Sequence, residues 1–443
     1  MKIDFVNHAS LVLSHGDVRL LCDPWLHGRA FNEGWALLAP TVFRNEEFET
    51  ISHIWYSHEH PDHFSPRCLA GVRESLRPGI TVLFHESDDR KIIRHCAGLG
   101  FATRELARGE RVTLGPDFHV RCSRWDHTDD SWLLVEAGGA RVLNLNDCMV
   151  NRSDEIARLK AQVGPIDVLA TQFSIAAWDG NAEDVDRRRR GARTMLERTV
   201  AQCRTLEPRW LIPFASFVWF CHEENHSMNS AVVRVDEVAA AVAHDTRTTP
   251  VVLYPGDSWQ VGGRASNAEA LERYAADYRS IPLRERVAVR PVPMAELQTS
   301  CEAFLARVNG AVSPIRLRIR MARMNASYQR RARPGWPGRW RAALALLGLR
   351  ARPARIWIHD LGRAARFDLR RGLTPVDGQR DRCDVSLASD SLAYAFRFLW
   401  GGATLRINGR FEELRPEGRL PLFDALWMAD GLNRTDGAEA RPL

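Results

Sequence analysis

The chain has 443 residues, 45% of them hydrophobic and 26% charged, a balance typical of globular proteins with roughly two or three domains of this total length. It has no apolar run of 18 or more residues, and its start lacks the charged-then-apolar pattern of a signal peptide, so we expect neither a transmembrane helix nor secretion. Nine cysteines, an odd number without a Cys-x-x-Cys pair, predict reduced thiols and a cytoplasmic location.

The net charge of +6 is distributed unevenly along the sequence. Residues 311–355, which we call the arginine-rich segment, hold twelve arginines and no acidic residue, so the rest of the chain sums to −6. We expect this segment to contact an acidic part of the same chain or of a second subunit. Binding of an anionic substrate group is the first alternative, and binding of nucleic acid or a membrane surface is disfavoured.

Short apolar runs bounded by turn residues alternate with helical patterns through the first part of the chain. The runs predict strands at 3–6, 10–13, 18–22, 53–57, 80–85, 119–125, 132–137, 141–145, 166–171, 210–213 and 250–254. The helical patterns lie at 65–76, 154–162, 181–205 and 230–244. This mixture predicts an α/β (α+β) fold in which two sheets are covered by helices.

The composition changes near residue 265, where polar helical sequence leads into the arginine-rich segment. We therefore predict a catalytic domain over 1–265, a helical and arginine-rich connecting segment over 266–353, and a small α/β C-terminal domain over 354–443.

A cluster of metal-binding residue types follows one of the predicted strands, in the segment SHEHPDH at 57–63. Side chains two residues apart face the same side of an extended segment, so His58 and His60 can bind one ion. Asp62 and His63 lie where the chain bends towards a helix and can face a second ion. The segment therefore predicts a dinuclear metal centre at the carboxyl end of a strand.

The His-x-His-x-Asp-His pattern at 58–63 resembles the signature of the metallo-β-lactamase superfamily, in which further ligands follow later strands. The resemblance implies an αββα sandwich and ligands in Asp126-His127, in Asn146-Asp147-Cys148 and in the segment 214–226. The implied set is His58, His60 and His127 for the first metal, Asp62, His63 and His222 or His226 for the second, and Asp147 as the bridge. Asp62 and Asp147 are also the expected catalytic carboxylates.

A narrower resemblance links residues 1–260 to the catalytic domain of the CMP-N-acetylneuraminate hydroxylase family. It rests on Asn7-His8-Ala9, on the segment DPWL at 23–26, on Asn146-Asp147-Cys148 and on Pro213-Phe214-Ala215. In that family a histidine lies nine residues after the corresponding proline, which favours His222 over His226. The family also carries a Rieske [2Fe–2S] domain with Cys-x-His and Cys-x-x-His ligands, a pair that this sequence lacks.

Three further residues are expected beside the ligands. Asp23 ends a predicted strand and can orient a ligand imidazole. His8 has the same placement, but a buried core histidine is an equally good interpretation. Asp130 follows His127 and can hold its free ring nitrogen, with a solvated turn as the alternative. Cys148 and Cys221 adjoin proposed ligands, and we expect both to pack in the core.

The C-terminal sequence contains strand, helix and strand patterns around the turn Gly401-Gly402. It resembles the sterol-carrier-like domain appended to some metallo-β-lactamase-fold enzymes. That resemblance implies a shelter for apolar ligands or a dimerisation role. A plain oligomerisation module is the alternative, so a homo-oligomer is compatible with either interpretation.

These observations predict a metal-dependent hydrolase that uses two divalent ions and a metal-bound hydroxide on an ester, amide or phosphoester bond. Zinc is the favoured metal, with iron or manganese as alternatives, and the substrate is a small molecule with an anionic group as one option. The first alternative is a di-iron, oxygen-dependent hydroxylase or oxidase, which would need a separate reductase. The second is a non-catalytic metal-binding scaffold.

Overall fold

A computed structural model describes residues 1–125, 130–313, 353–415 and 421–433. In chain order the strands of the first unit are β1 (Lys2–Asn7), β2 (Ser10–His15), β3 (Val18–Cys22), β4 (Arg29–Ala30), β5 (Trp35–Leu37), β6 (His53–Trp55), β7 (Thr81–His85), β8 (Ala102–Leu106), β9 (Arg111–Gly115), β10 (Phe118–Arg124), β11 (Ser131–Ala137), β12 (Ala140–Asn146), β13 (Val168–Gln172), β14 (Trp210–Phe214), β15 (Val218–Phe220), β16 (Thr249–Pro250) and β17 (Ser258–Gln260). Those of the C-terminal unit are β18 (Ala354–Ile358), β19 (Arg363–Asp368), β20 (Gly372–Val376), β21 (Val385–Leu387) and β22 (Glu412–Glu413).

The helices connect these strands or cover the sheets. The α-helices are α1 (Pro66–Ala70), α2 (Lys91–Gly98), α3 (Ser153–Val163), α4 (Val185–Leu206), α5 (Val235–Asp245), α6 (Ala268–Ser280), α7 (Met294–Ala311), α8 (Ser389–Arg397), α9 (Gly401–Asn408) and α10 (Pro421–Asn433). Short 3-10 helices lie at Asn45–Thr50, Arg77–Gly79, His226–Ala231, Ile281–Leu283 and Arg380–Arg382. Among the described helices, none is both long enough and apolar enough to cross a lipid bilayer.

Two seven-stranded sheets form the first unit, in the orders β17-β1-β2-β3-β6-β7-β8 and β16-β14-β13-β12-β11-β10-β9. In the first sheet, β3 pairs parallel with β6, and β6 pairs parallel with β7. In the second, β12, β13 and β14 are mutually parallel. Because parallel strands present their carboxyl ends at one edge, both sheets collect strand-end residues at a common rim.

The predicted two-sheet architecture is confirmed, and side-chain alternation explains it. In β3, Leu20 and Cys22 face the core between the sheets, whereas Leu21 faces the cluster under α1 and α2. On the far face of the second sheet, α3 buries Leu159 and α4 buries Cys203 in the same core as the strands. The first unit is therefore an α/β sandwich with helices on both outer faces.

Several predicted boundaries were wrong for local reasons. The helix predicted at 65–76 ends after Ala70, because Gly71 caps it and the chain turns away. The helix predicted at 230–244 begins at Val235, since the chain before it forms a 3-10 helix. Strands β8 and β9 and helix α2 were missed. Both strands lie at sheet edges, where side chains alternate between exposed and buried and the apolar signal is weak.

The helices of the predicted connecting segment pack into two different cores. Tyr274 of α6 belongs to the core of the first unit, whereas Phe304 of α7 packs against the C-terminal sheet. That sheet has the order β20-β19-β18-β21-β22. Its core also takes in Trp25, Phe31 and other residues of the first unit, so the two units share buried apolar surface. Residues 314–352, most of the arginine-rich segment, lie outside the described residues.

We predict that Tyr274→Ala lowers the free energy of unfolding by about 3–5 kcal/mol, the usual cost of deleting a buried aromatic ring. Tyr274 is fully buried, stacks on Phe217 with ring centroids 4.5 Å apart, and donates a hydrogen bond to Leu253 O. Urea unfolding of the full chain measures this change. The exposed neighbour Arg279→Ala is the control, and an equally small effect of both variants would contradict the packing of α6 in the first core.

Candidate metal centre

Four strand ends at the common rim turn sharply through left-handed backbone. His8 follows β1 with φ +37°, Asp23 follows β3 with φ +41°, Asn146 ends β12 with φ +37°, and Ala215 follows β14 with φ +50°. A non-glycine residue in this region costs on the order of 1–3 kcal/mol, and such strain concentrates at functional sites. The backbone of these turns is interlinked, since Ala215 N donates to His8 O.

The first donor group combines two histidines of the sequence cluster with one aspartate. His58 Nε2 lies 2.8 Å from His60 Nδ1 and 3.8 Å from Asp130 Oδ1. The three donor atoms all lie within 4.8 Å of one another, which is close enough to surround one cation. His58 is buried, whereas His60 and Asp130 are partly exposed, so this group opens towards solvent.

A second donor group lies deeper. Asp62 Oδ2 is 3.2 Å from His8 Nε2 and 3.5 Å from His63 Nε2, and all three residues are buried. Asp147 Oδ2 lies 3.3 Å from His63 Nε2 and groups with His58 and His63 as well. Asp147 therefore stands between the two donor groups, the position that a bridging carboxylate would need.

Asp23 orients the imidazoles from behind. Its Oδ2 lies 2.9 Å from His63 Nδ1 and accepts from Ser57 Oγ at 2.7 Å, and its Oδ1 accepts from Ser57 N. Because Ser57 Oγ gives its proton to Asp23, it accepts from His58 Nδ1 at 2.9 Å. Both imidazoles then carry a proton on Nδ1, and in its neutral form each presents an Nε2 lone pair to the site.

Asp147 is held by a buried polar chain that leads away from the site. Gln172 Nε2 donates to Asp147 Oδ1 at 3.3 Å, and Arg198 donates to both the backbone oxygen and the Oε1 of Gln172. Burial lowers the pKa of Arg198 to about 10 against the opposing pull of Asp147, which still leaves it charged at neutral pH. The guanidinium fixes the amide of Gln172, and the amide leaves Asp147 Oδ2 free to face His63.

The protonation of the donors is set by burial and by their neighbours. Burial, followed by the nearby His63 and His60, lowers the pKa of His58 well below its ordinary value, so its imidazole is neutral. Burial raises the pKa of Asp62, but the opposing attraction of His63 and His8 lowers it to about 2. Burial lowers the pKa of His63, but Asp147, Asp62 and Asp23 outweigh it and raise that pKa.

The donor set fits two cations. His63 Nε2 lies 3.5 Å from Asp62 Oδ2 and 3.3 Å from Asp147 Oδ2, and it is buried without a hydrogen-bond partner among the described residues. Buried polar atoms without a partner are costly, so an unpartnered ring nitrogen beside two carboxylates indicates a missing ligand. Imidazole nitrogens with carboxylate oxygens suit Zn, Fe or Mn, and a cation would displace the proton that otherwise sits on His63.

The structure brings together seven of the residues implied as ligands or neighbours by the sequence patterns, while Asp23 contacts His63 from behind. Those seven are His8, His58, His60, Asp62, His63, Asp130 and Asp147. His222 is absent from the donor groups found among the described residues. Its Nδ1 accepts from Glu224 N, and its Nε2 is buried without a hydrogen-bond partner among the described residues. His127 lies outside the described residues.

The other predictions for this region concern His226, Cys148 and Cys221. His226 stacks edge-on against Trp219 and is likewise absent from the described donor groups. All nine cysteines are buried free thiols. Burial raises the pKa of the Cys148 thiol well above its ordinary value and that of Cys221 to about 12, so neither offers a thiolate and both pack as neutral thiols.

Sequence reasoning gave His8 too little weight and missed Gln172 and Arg198. His8 carried a usable signal, since it follows a predicted strand directly, as the histidine cluster does. Gln172 also ends a strand, β13, and shares the rim with Asp147 because β12 and β13 are parallel. Arg198 lies inside α4 among other arginines and has no sequence signal of its own.

Comparison with known proteins identifies a family model that matches the part of the chain in which this site lies. Residues 2–215 match the family model described as a beta-lactamase superfamily domain. That stretch includes β1 to β14 and every described donor residue of both groups.

The relatives include hydroxylases. A stretch of 254 residues is 24% identical to the cytidine monophosphate-N-acetylneuraminic acid hydroxylase of Cricetulus griseus, and it covers 54% of this chain and 44% of that protein. The chain thus spans less than half the length of this relative.

Two solved structures are similar at low identity. The diiron beta-hydroxylase CmlA from Streptomyces venezuelae is 18% identical with a TM-score of 0.42, covering 58% of this chain and 54% of that one. An isothiocyanate hydrolase from Delia radicum gut bacteria is 13% identical with a TM-score of 0.42, covering 59% of this chain and 98% of that one.

We predict that His8→Ala lowers the zinc content of the purified full chain from about two ions to about one, because the second donor group loses one of three donors. His222→Ala should leave both ions bound, since His222 belongs to none of the donor groups found among the described residues. Metal analysis after gel filtration measures both variants, with Asp147→Ala as the positive control and His226→Ala as the negative one. Loss of zinc in His222→Ala with full retention in His8→Ala would instead support the sequence-based assignment.

Proposed function

Residues 2–215 form a beta-lactamase superfamily domain, and from this premise we propose that the chain is a metal-dependent hydrolase with a dinuclear centre. The centre would be built by His58, His60 and Asp130 on one side and by His8, Asp62 and His63 on the other. His127, which the family pattern implies for the first side, completes the proposed set. Asp147 would bridge the two sides.

One observation carries the proposal: the two donor groups are adjacent, and Asp147 groups with one histidine of each. Asp147 Oδ2 lies 3.3 Å from His63 Nε2 of the deeper group, and Asp147 also groups with His58 of the first. A single structural ion needs only one closed set of four donors. Two incomplete sets side by side, one of them open to solvent, are the arrangement expected for a catalytic pair.

The bound metals would polarise a substrate oxygen and lower the pKa of a shared water towards about 7. Side chains of the protein would accept the proton, orient the histidine donors and exclude bulk water. Asp62 Oδ1 is buried and has no hydrogen-bond partner among the described residues, so it can accept the proton released when that water attacks. Asp23 would hold His63 in the tautomer that keeps Nε2 available. Trp25 and Phe31 would exclude bulk water, since their rings lie 5.7 Å from those of His8 and His60.

The proposed substrate is a small molecule with an ester, amide or phosphoester bond. The partly exposed side of the site, at His60 and Asp130, is where the described part of the centre can admit it. An anionic substrate group is favoured, because two cations attract a negatively charged group more strongly than a neutral one.

Oxygen-dependent hydroxylation at a di-iron centre is the second candidate. The observation that favours it is the similarity to a cytidine monophosphate-N-acetylneuraminic acid hydroxylase over 54% of the chain. The same histidine and carboxylate donors suit iron. This reaction would draw electrons from a separate reductase, whereas hydrolysis would need none.

We predict two zinc ions in the protein purified from its own host, and hydrolysis of model esters or phosphoesters that is unchanged when oxygen is removed. Asp62→Asn should lower kcat at least about 100-fold, because it removes both a donor oxygen and the proton acceptor. The exposed Asp88→Asn is the matched control. Iron in the purified protein, with turnover only in the presence of oxygen and a reductant, would overturn hydrolysis in favour of the second candidate. Metal without turnover of either kind would support the scaffold interpretation.

A further inference from the structure

A strained turn lies against the first donor group. Phe31, Asn32 and Glu33 all have left-handed backbone, with φ of +50°, +53° and +61°, and none of them is glycine. The turn is closed by Gly34 N, which donates to Ala30 O and Phe31 O. One left-handed residue is common in turns, but three in succession persist only where the surroundings impose them.

The surroundings hold this turn by its carbonyl oxygens, and two of the donors come from the C-terminal unit. Asn408 Nδ2 donates to Phe31 O at 3.0 Å, and Arg410 Nη1 donates to Asn32 O at 2.9 Å. The following oxygens accept from the segment after β15: Glu33 O from Cys221 Sγ, and Gly34 O from Cys221 N and Asn225 Nδ2. Each of the four successive carbonyls of residues 31–34 thus has a side-chain donor.

Arg410 is itself fixed from three sides. The residue is 1% exposed, and it donates through Nε to Glu224 Oε2 at 2.9 Å and through Nη2 to Asp390 Oδ1 at 2.7 Å. Its third contact is the turn at Asn32. A guanidinium presents its donors in a rigid fork, so anchoring two of them to carboxylates fixes the direction of the third. Glu224 belongs to the first unit and Asp390 to the C-terminal one.

The turn carries an aromatic ring to a metal-binding histidine. Phe31 is 3% exposed, and its ring packs edge-on against His60 with centroids 5.7 Å apart. Trp35 supports it from the other side at 4.7 Å. His60 is partly exposed, and the ring of Phe31 limits the rotation that would carry its Nδ1 away from His58.

We propose that the C-terminal unit positions the metal centre: Arg410 and Asn408 hold the left-handed turn 31–33, and the turn presses Phe31 against His60 and fixes its donor atom. Arg410 and Asn408 are positioning residues here, since they reach the site only through the turn. This inference rests on the proposed metal centre and is independent of whether the centre hydrolyses or oxidises its substrate. On this proposal the C-terminal unit contributes to the geometry of the metal centre.

The test is binding of zinc and cobalt to the full chain carrying Arg410→Lys. Lysine keeps the charge that faces Glu224 and Asp390, but its single ammonium cannot reach the turn as well. We expect about tenfold weaker zinc binding at the first donor group, measured by competition with a chromophoric chelator, and an altered visible spectrum of the cobalt-substituted protein. Asn408→Ala should act in the same direction. Arg380→Lys, a charge-preserving change at an exposed pair with Glu412 in the same unit, should leave both readouts unchanged.

Rescue separates positioning from a general loss of stability. Glycine adopts left-handed backbone without strain, so adding Asn32→Gly to Arg410→Lys should restore zinc affinity to within about threefold of the wild-type value. Wild-type affinity and an unchanged cobalt spectrum in both Arg410→Lys and Asn408→Ala would overturn the proposal and leave the metal centre standing. A loss of zinc affinity that Asn32→Gly fails to relieve, in a variant that still unfolds cooperatively on heating, would overturn the proposal as well. A wild-type chain that binds no zinc would overturn the metal centre itself.

Discussion

The buried carboxylate of Asp23 is the interaction on which the rest of the site depends. It is fully buried, and its two oxygens accept hydrogen bonds from Ser57 N, Ser57 Oγ and His63 Nδ1. An uncompensated carboxylate at this depth would be strongly unfavourable, so these contacts are obligatory for the fold. The same contacts set the tautomers of two imidazoles of the proposed metal centre. The hydrogen bonds of Asp23 thus both stabilise the strand ends and orient the imidazoles for metal binding.

The site is assembled from strand ends that no single sheet supplies. β1, β3 and β6 of the first sheet bring His8, Asp23 and the histidine cluster, and β12 of the second sheet brings Asp147. The left-handed residues at these ends turn the chain over the rim at once, which keeps the donor atoms close together. The turn at residues 31–33 also has left-handed backbone, and two of the hydrogen bonds that hold it come from the C-terminal unit. The fold places strain at the rim and balances it with hydrogen bonds.

The sequence predicted what is local or follows from strand order. His58, His60, Asp62 and His63 lie within six residues, and their donor role follows from spacing alone. His8 was undervalued because its role depends on β1 and β6 ending at the same rim, which sheet order decides. The contact of Asn408 with Phe31 spans 377 residues and depends on how two units pack. No periodicity or motif encodes such a contact, because the carbonyl that accepts it could belong to any residue type.

We propose that two cations share Asp147, with His8 in the deeper donor set. A crystal structure of the zinc-loaded full chain, with anomalous differences recorded at the zinc edge, tests this proposal. We predict two anomalous peaks, one bound by His58 and His60 and one bound by His8, Asp62 and His63, with Asp147 reaching both. A single peak, or a second peak bound by His222 with His8 left unbound, would contradict it.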